Sequence, residues 1–526
     1  WIAQAENGVI EANAPCCSSY CPAQMRATIY AAIVAGISIL AVSQLSALSS
    51  GELIVVMSYE EIDALMTAPG QPFEVEQIDV AGRSLRDWKN AAPTLAAILE
   101  QSRGFGDREF IVYGDERVTY AEHYRRAAAV ARRLVEDYGI VPGDRVAIAM
   151  RNYPEWCIAF WAVTAAGAVV VPLNAWWTSE ELAYGLTDSG TRVIFVDRER
   201  LDRLQAIQSQ LPLEQVIATR CEVLPEGVID FQSLLADAPV DLVLPEVTIR
   251  PDDPATLFYT SGTTGFPKGT LGSQRNFCGV ALTMAYNGVR GLLRMGGSLA
   301  DLEMIQQVPQ VALLTVPLFH VTGCHGIMLS IFSSGGKLAM SYKWDPAEAL
   351  DLIEREKVTI FGGVPTMIRQ LLDVPGIEQR DLSSILNLGY GGAPAPPELL
   401  RKIQSTLPAS GASNGWGITE TSAPITAISG QDYAEKPDSV GRPFPIIDVK
   451  VVDVAGEEVA AGELGELWVR GPNVVKGYWK KPDATADSFS EGWFHTGDVG
   501  RIDEDGYVYI VDRIKDMIIR GGENIY

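Results

Sequence analysis

Residues 141–196 read VPGDRVAIAMRNYPEWCIAFWAVTAAGAVVVPLNAWWTSEELAYGLTDSGTRVIFV. A Pro-Gly-Asp turn opens into the apolar run RVAIAM. Residues 152–166 carry a helical pattern, and AGAVVVPL is the continuous apolar stretch expected of a parallel strand buried on both faces. Residues 178–189 are helical again, and RVIFV is the next strand. Strands alternating with helices at this spacing predict a doubly wound α/β architecture. Upstream, residues 93–139 read helix, strand, tight turn at Gly114 and Asp115, strand, and a helix that stops at Gly139. The pattern divides the chain into a first α/β subdomain at 57–250 and a second at 251–430. A small β-rich subdomain follows at 431–511, with short strands at 449–454, 465–470 and 506–511, and residues 512–526 open a further element.

A chain of 526 residues exceeds the usual size of one domain, and its 47% apolar and 21% charged residues are ordinary globular usage. The formal net charge is −24. An acidic surface repels phosphate backbones, so no nucleic-acid partner is expected. Any anionic small molecule must be met by local nests of backbone N–H groups and single cations. Of seven cysteines, Cys157, Cys221, Cys278 and Cys324 read as reduced, mostly buried thiols of a cytosolic protein. Cys16, Cys17 and Cys21 cluster without a fourth ligand, and four histidines in all argue against a His-rich metal centre.

Residues 27–48 carry no charge and are long enough to span a bilayer, or to serve as a secretory signal starting at Met25. With Arg26 before it and Glu52, Glu60 and Glu61 after it, the positive-inside rule would export everything downstream. The reading preferred here is that residues 1–56 are a non-native or upstream extension and that MSYEEIDAL, from Met57, is the native start. Membrane association is not favoured.

The strongest chemical signal is Tyr259-Thr-Ser-Gly-Thr-Thr-Gly-Phe-Pro-Lys-Gly269. Its glycines let backbone N–H groups approach a polyphosphate, its hydroxyls donate to phosphoryl oxygens, and Lys268 adds a cation. It is not a Walker A loop, because Gly269 stands where that motif has Ser or Thr. The string resembles the phosphate loop of the adenylate-forming superfamily of acyl-CoA synthetases, luciferases and nonribosomal adenylation domains. Further stretches match in the family's order from about Pro93 onward.

The resemblance implies the following roles. Thr260, Ser261, Gly262, Thr263, Thr264, Gly265 and Lys268 hold the phosphates of ATP. His320, in Pro317-Leu-Phe-His320, borders the acyl site. Gly391, Gly392, Ala393 and Pro394 line the adenine pocket. In Asn414-Gly-Trp-Gly-Ile-Thr-Glu-Thr421, Asn414, Gly415, Trp416 and Gly417 meet the nucleotide, with Trp416 stacked near adenine. Thr419 bonds the α-phosphate and Glu420 holds Mg²⁺. Asp498, in Trp493-Phe-His-Thr-Gly-Asp498, accepts from the ribose hydroxyls. Arg513 contacts the nucleotide, and Lys515 is the hinge about which a C-terminal lid turns.

The implied fold is a large N-terminal domain of two α/β subdomains and a β-rich one. The chain stops eleven residues past Lys515, so the C-terminal α+β lid and its lysine are expected to be missing and the fragment impaired. The implied activity is that of a cytoplasmic ATP-dependent carboxylic acid–CoA ligase that forms an acyl-AMP and then an acyl-CoA. The run around Leu173 favours medium- or long-chain fatty acids. Alternatives are an aromatic or steroid side-chain acid, a carrier-protein thiol as acceptor, or a lidless, catalytically weak nucleotide- or acyl-binding protein. Oligomeric state is not legible.

Overall fold

The computed structural model describes residues 56–236, 238–260, 265–393, 395–422, 424–513, 518–520 and 523–525. The apolar segment at 27–48 and the first three cysteines therefore lie outside the described residues, as do Ser261, Gly262, Thr263, Thr264, Pro394 and Lys515. Among the described residues no helix is long and apolar enough to cross a membrane.

The opening stretch folds as read. Thr178 and Glu181 form a reciprocal cap on the helix Ser179–Ser189, and Gly190, at φ +67°, stops it in the left-handed conformation. The helix Pro154–Ala165 starts with proline at its first position, and all 12 of its residues are buried. A helix apolar all round needs cover on every side, and here it lies in a layer between two sheets.

One sheet has seven strands, in spatial order Lys268–Ser273, Pro254–Thr260, Val169–Pro172, Arg145–Ala149, Val193–Asp197, Gln215–Thr219 and Val228–Asp230. Only Lys268–Ser273 is antiparallel to its neighbour. The other has nine, in the order Arg442–Pro443, Pro424–Ser429, Gly411–Gly417, Asn387–Gly391, Ile360–Gly363, Val311–Leu314, Lys337–Met340, Glu109–Tyr113 and Glu116–Thr119. Its six central strands are parallel and its edges antiparallel.

The central core joins inner faces of both sheets, through Ile148 and Val170 on one side and Ala312 and Leu338 on the other. Between them sit aromatic rings of the intervening helices. Trp161 and Phe332 stack with centroids 4.2 Å apart. Separate cores pack helices on each outer face, giving a helix–sheet–helix–sheet–helix stack.

The sheets do not follow the sequence blocks drawn at 57–250 and 251–430. Residues 109–119 join the nine-stranded sheet although they precede the seven-stranded one, and residues 254–273 return to the seven-stranded sheet. Local pattern locates strands but says nothing about which sheet each enters. A third, antiparallel sheet holds Asp448–Val452, Gly465–Arg470, Trp493–Ile502, Phe489–Ser490 and Val508–Arg513. Met57 and the helix Tyr59–Thr67 are tied to the body: Arg294 donates to the Met57 carbonyl at 2.6 Å, and the Tyr59 hydroxyl donates to Asp432 at 2.9 Å.

Candidate active site

The hairpin Pro254–Thr260 and Lys268–Ser273 ends its ladder with Thr260 opposite Lys268, the two residues that flank the glycine- and threonine-rich segment in the sequence. The Thr260 hydroxyl donates to the Lys268 carbonyl at 3.4 Å. Gly265 has φ +115°, a conformation that side-chain-bearing residues rarely adopt. The far end of the segment is anchored. Phe266 stacks on Tyr184 at 4.4 Å, and the Tyr184 hydroxyl donates to the Pro267 carbonyl at 3.0 Å.

Residues 475–479 lie against this hairpin as an added strand. Trp479 N–H donates to the Gly269 carbonyl at 2.7 Å and Leu271 N–H to the Gly477 carbonyl at 3.0 Å. This register puts Tyr478 beside Lys268, whose ammonium sits 4.6 Å from the ring centroid. The Tyr478 hydroxyl donates to Glu420 Oε1 at 2.8 Å. Three elements distant in sequence thus converge on one cation, one ring and one carboxylate. Burial pushes the Glu420 carboxyl above the usual carboxylate range, against the Tyr478 hydroxyl and the charges of Arg513 and Lys268. Glu420 and Thr419 sit on the turn Thr419–Thr421, which ends at Ser422 in the left-handed region. Buried His325 holds this turn through a hydrogen bond between its Nδ1 and the Ser422 carbonyl. Asn473 adds a second tie, donating to the Thr421 carbonyl at 3.0 Å.

A second cluster centres on Asp498, which is 2% exposed. Its N–H donates to the Thr496 hydroxyl at 3.0 Å, which sets the turn. Trp416 Nε1 donates to Oδ2 at 2.8 Å, and Arg513 Nε donates to Oδ1 at 2.7 Å. Burial raises the Asp498 carboxyl, and Arg513 and Trp416 oppose the rise. Trp416 is itself 5% exposed and packed in a core with Ile425 and Phe444. In this structure its indole meets Asp498 by its edge, where the sequence suggested a face offered to a base. Gly391 and Gly415 pair across neighbouring strands, and a Cβ on Gly391 would come within 2.9 Å of the Gly415 carbonyl. Gly392 lies at φ +72°, with Ala393 next to it. Asn414 accepts from Gly415 N–H at 2.9 Å and donates to the Ser439 carbonyl at 3.3 Å, and Gly417 ends the strand before Thr419.

His320 caps a loop through its N–H to the Pro317 carbonyl and lies 4.7 Å from the Phe319 ring. It leads into a π-helix, Thr322–Leu329, a wound form often found at functional sites. That π-helix and the helix Gln274–Arg294 wall a cavity of about 160 Å³, closed on the sheet side by Gly362, Asn387, Gly389 and Ser413.

Residues 98–479 match the model of the AMP-binding enzyme family. The chain belongs to this family, the adenylate-forming superfamily. Among its AMP-binding relatives, a feruloyl-CoA synthase from Amycolatopsis sp. is 37% identical over 414 residues, covering 79% of this chain and 77% of the relative. The long-chain-fatty-acid–CoA ligase of Bacillus subtilis (strain 168) is 31% identical over 466 residues, covering 82% and 79%. In three dimensions, the N-terminal domain of FACL13 from Mycobacterium tuberculosis superimposes with a TM-score of 0.70 at 29% identity, over 80% of this chain and 100% of that domain. These acid–CoA ligases make ATP and CoA the expected substrates of the chain, and they differ in their acids.

Proposed function

We propose that the chain is an ATP-dependent carboxylic acid–CoA ligase working through an acyl-adenylate. The observation that carries this reading is the junction of Lys268, Tyr478 and Glu420 at the root of the phosphate-loop hairpin. A carboxylate oxygen of the acid attacks the α-phosphorus of ATP, and pyrophosphate leaves. The CoA sulfur then bonds to the acyl carbon, its proton passes to solvent, and AMP leaves.

The side chains supply position and charge compensation. Lys268 and the loop at 260–265 meet the phosphates, and Thr419 donates to the α-phosphate. Asp498 keeps two of its four lone-pair sites after Trp416 and Arg513 are served, which matches the two hydroxyls of a ribose. Gly391, Gly392, Ala393 and Pro394 flank the base, and His320 borders the carboxylate. Glu420, a half-buried carboxylate with raised pKa and no close ion pair among the described residues, suits Mg²⁺, which takes one or two carboxylates beside substrate phosphates. Bound there, the metal would neutralise phosphate charge. Lys515 is proposed as the hinge, and the cytoplasm, rich in both substrates, as the place of work.

Fatty acids of medium or long chain are one substrate class, supported by the Bacillus subtilis relative. A specific observation favours the aromatic or otherwise compact acid instead: the 160 Å³ cavity is small. Pyrophosphate release and CoA consumption, measured with ATP, Mg²⁺ and an acid panel, test the function. Turnover with AMP formation and CoA loss is expected. ATP binding without activation of any acid would sink the ligase reading.

Tyr478→Phe keeps the ring under Lys268 and removes the donor to Glu420. Since that hydroxyl lowers the Glu420 pKa, its loss raises the pKa further. The acidic limb of the pyrophosphate-release profile should move to higher pH, with release near neutrality down by roughly tenfold, the scale of one hydrogen bond to a charged group. An unshifted profile would count against the contact.

A further inference from the structure

We propose that the cavity receives the tail of the acid, and that Asn387, Ser413 and Ser330 there read a hydroxyl at the far end of a compact tail that carries no charge. This rests on the ligase reading.

Side chains 387, 389 and 391 fall on one face of their strand, while Leu388 and Tyr390 are buried on the other. Gly391, paired with Gly415 two residues before the strand's end at Gly417, marks the nucleotide end. Asn387 lies four residues back, roughly 13 Å deeper at the rise of a parallel strand. The face narrows to glycine at 389, where even a Cβ would meet the Ser413 hydroxyl at 3.1 Å. Across the cavity, Gly288, Gly291 and Gly326 bring helix backbones close.

Size comes first. A cavity of about 160 Å³ is near the roughly 150 Å³ that admits a benzene ring. It suits a ring with a short arm better than a long alkyl chain.

Charge comes second. No Lys, Arg, His, Asp or Glu lines it. A second carboxylate or an ammonium on the tail would be buried without a counter-charge, which is strongly unfavourable.

Hydrogen bonding comes third. Asn387 Nδ2 donates to the Ser413 hydroxyl at 3.0 Å. Asn387 Oδ1 and the hydroxyl of Ser330, a residue 2% exposed, are buried with no partner among the described residues. A substrate hydroxyl, one donor with two acceptor lone pairs, has the chemistry to answer either atom. A plain hydrocarbon tail would leave them orphaned, and sites built this way discriminate strongly against the analogue lacking the group.

The test is calorimetric titration of the 526-residue chain, first with AMP and then, in saturating AMP, with 4-hydroxycinnamic, cinnamic, nonanoic and hexadecanoic acids. The first three share a carbon count, so they separate ring from hydroxyl. The hydroxylated acid is expected to bind at least tenfold tighter than cinnamic acid. Asn387→Leu and Ser330→Ala should each erase most of that advantage while leaving AMP affinity unchanged. If Asn387→Leu fails to fold, Ser413→Ala takes its place. Equal affinity for the matched pair, tightest binding of hexadecanoic acid, or no acid binding at all would overturn the proposal. Failure to bind AMP would overturn the ligase reading instead, and is seen before any acid is added.

Discussion

Lys268→Ala and Glu420→Gln should each lower pyrophosphate release by about two to three orders of magnitude, the usual scale for removing one preorganised charge from a transition state. Neither should unfold the protein. Lys268 rests on the Tyr478 ring at the mouth of the hairpin and closes no core. Gln at 420 still accepts from the Tyr478 hydroxyl, as Glu does at 2.8 Å. The sign of the stability change is informative. Burial raises the Glu420 pKa, so its charge opposes folding above the ordinary carboxylate range, and this penalty fades as pH falls below the raised value. Glu420→Gln removes the penalty, so near neutral pH the melting temperature should hold or rise while release collapses. That opposition is the mark of a residue kept for function at a cost to stability. Release at the wild-type level in both variants would refute the roles assigned to them. A lower melting temperature for Glu420→Gln would recast Glu420 as structural.

Asp498→Ala should cost both stability and nucleotide affinity. The carboxylate is nearly sealed and accepts from Trp416 and Arg513 at 2.8 and 2.7 Å. Its removal leaves an indole N–H and a guanidinium facing a void. Breaking a fully buried pair costs about 3–5 kcal/mol, but the Arg513 side chain is 37% exposed and can turn to water, so about 2–3 kcal/mol is the expected loss. Urea unfolding at constant m-value would read it as a lower midpoint. ATP affinity should fall at least tenfold as the ribose acceptor goes. A variant with full stability and weak ATP binding would place Asp498 in binding alone, and full ATP affinity would remove it from the site.

The individual strands and helices of residues 93–196 were legible because each rests on local pattern, whereas the sheet that each strand enters was not. Apolar runs of four or five residues, capping pairs such as Thr178 with Glu181, and the Gly114 turn between strands ending at Tyr113 and starting at Glu116 all act over a few residues. Glu420, Asp498 and Lys268 stood out by motif. Tyr478 did not, because its function lies in a register: it is placed by the bonds of residues 476–479 to a strand two hundred residues earlier, and no spacing in the sequence encodes that. The cavity was hidden for the same reason. Asn387 and Ser413 look like ordinary strand residues until their strands pair and Gly389 leaves room above them. For Trp416, the resemblance implied a ring stacked near adenine; the bond of its indole N–H to Asp498 and the 5% exposure of the residue come from the fold alone.

The crossing of the chain between its two sheets bears on synthesis. The strand Glu109–Tyr113 leaves the ribosome early, but its parallel neighbour Lys337–Met340 is made more than two hundred residues later. The seven-stranded sheet likewise stays open at one edge until residue 273 has emerged. Neither sheet can close on its own schedule, so the nascent polypeptide carries an unpaired edge strand through much of translation. Such edges invite mispairing, and contacts of long sequence separation form slowly. The interleaving that binds both halves into one body thus makes the growing chain a client for whatever shields exposed strands until its partner segments arrive.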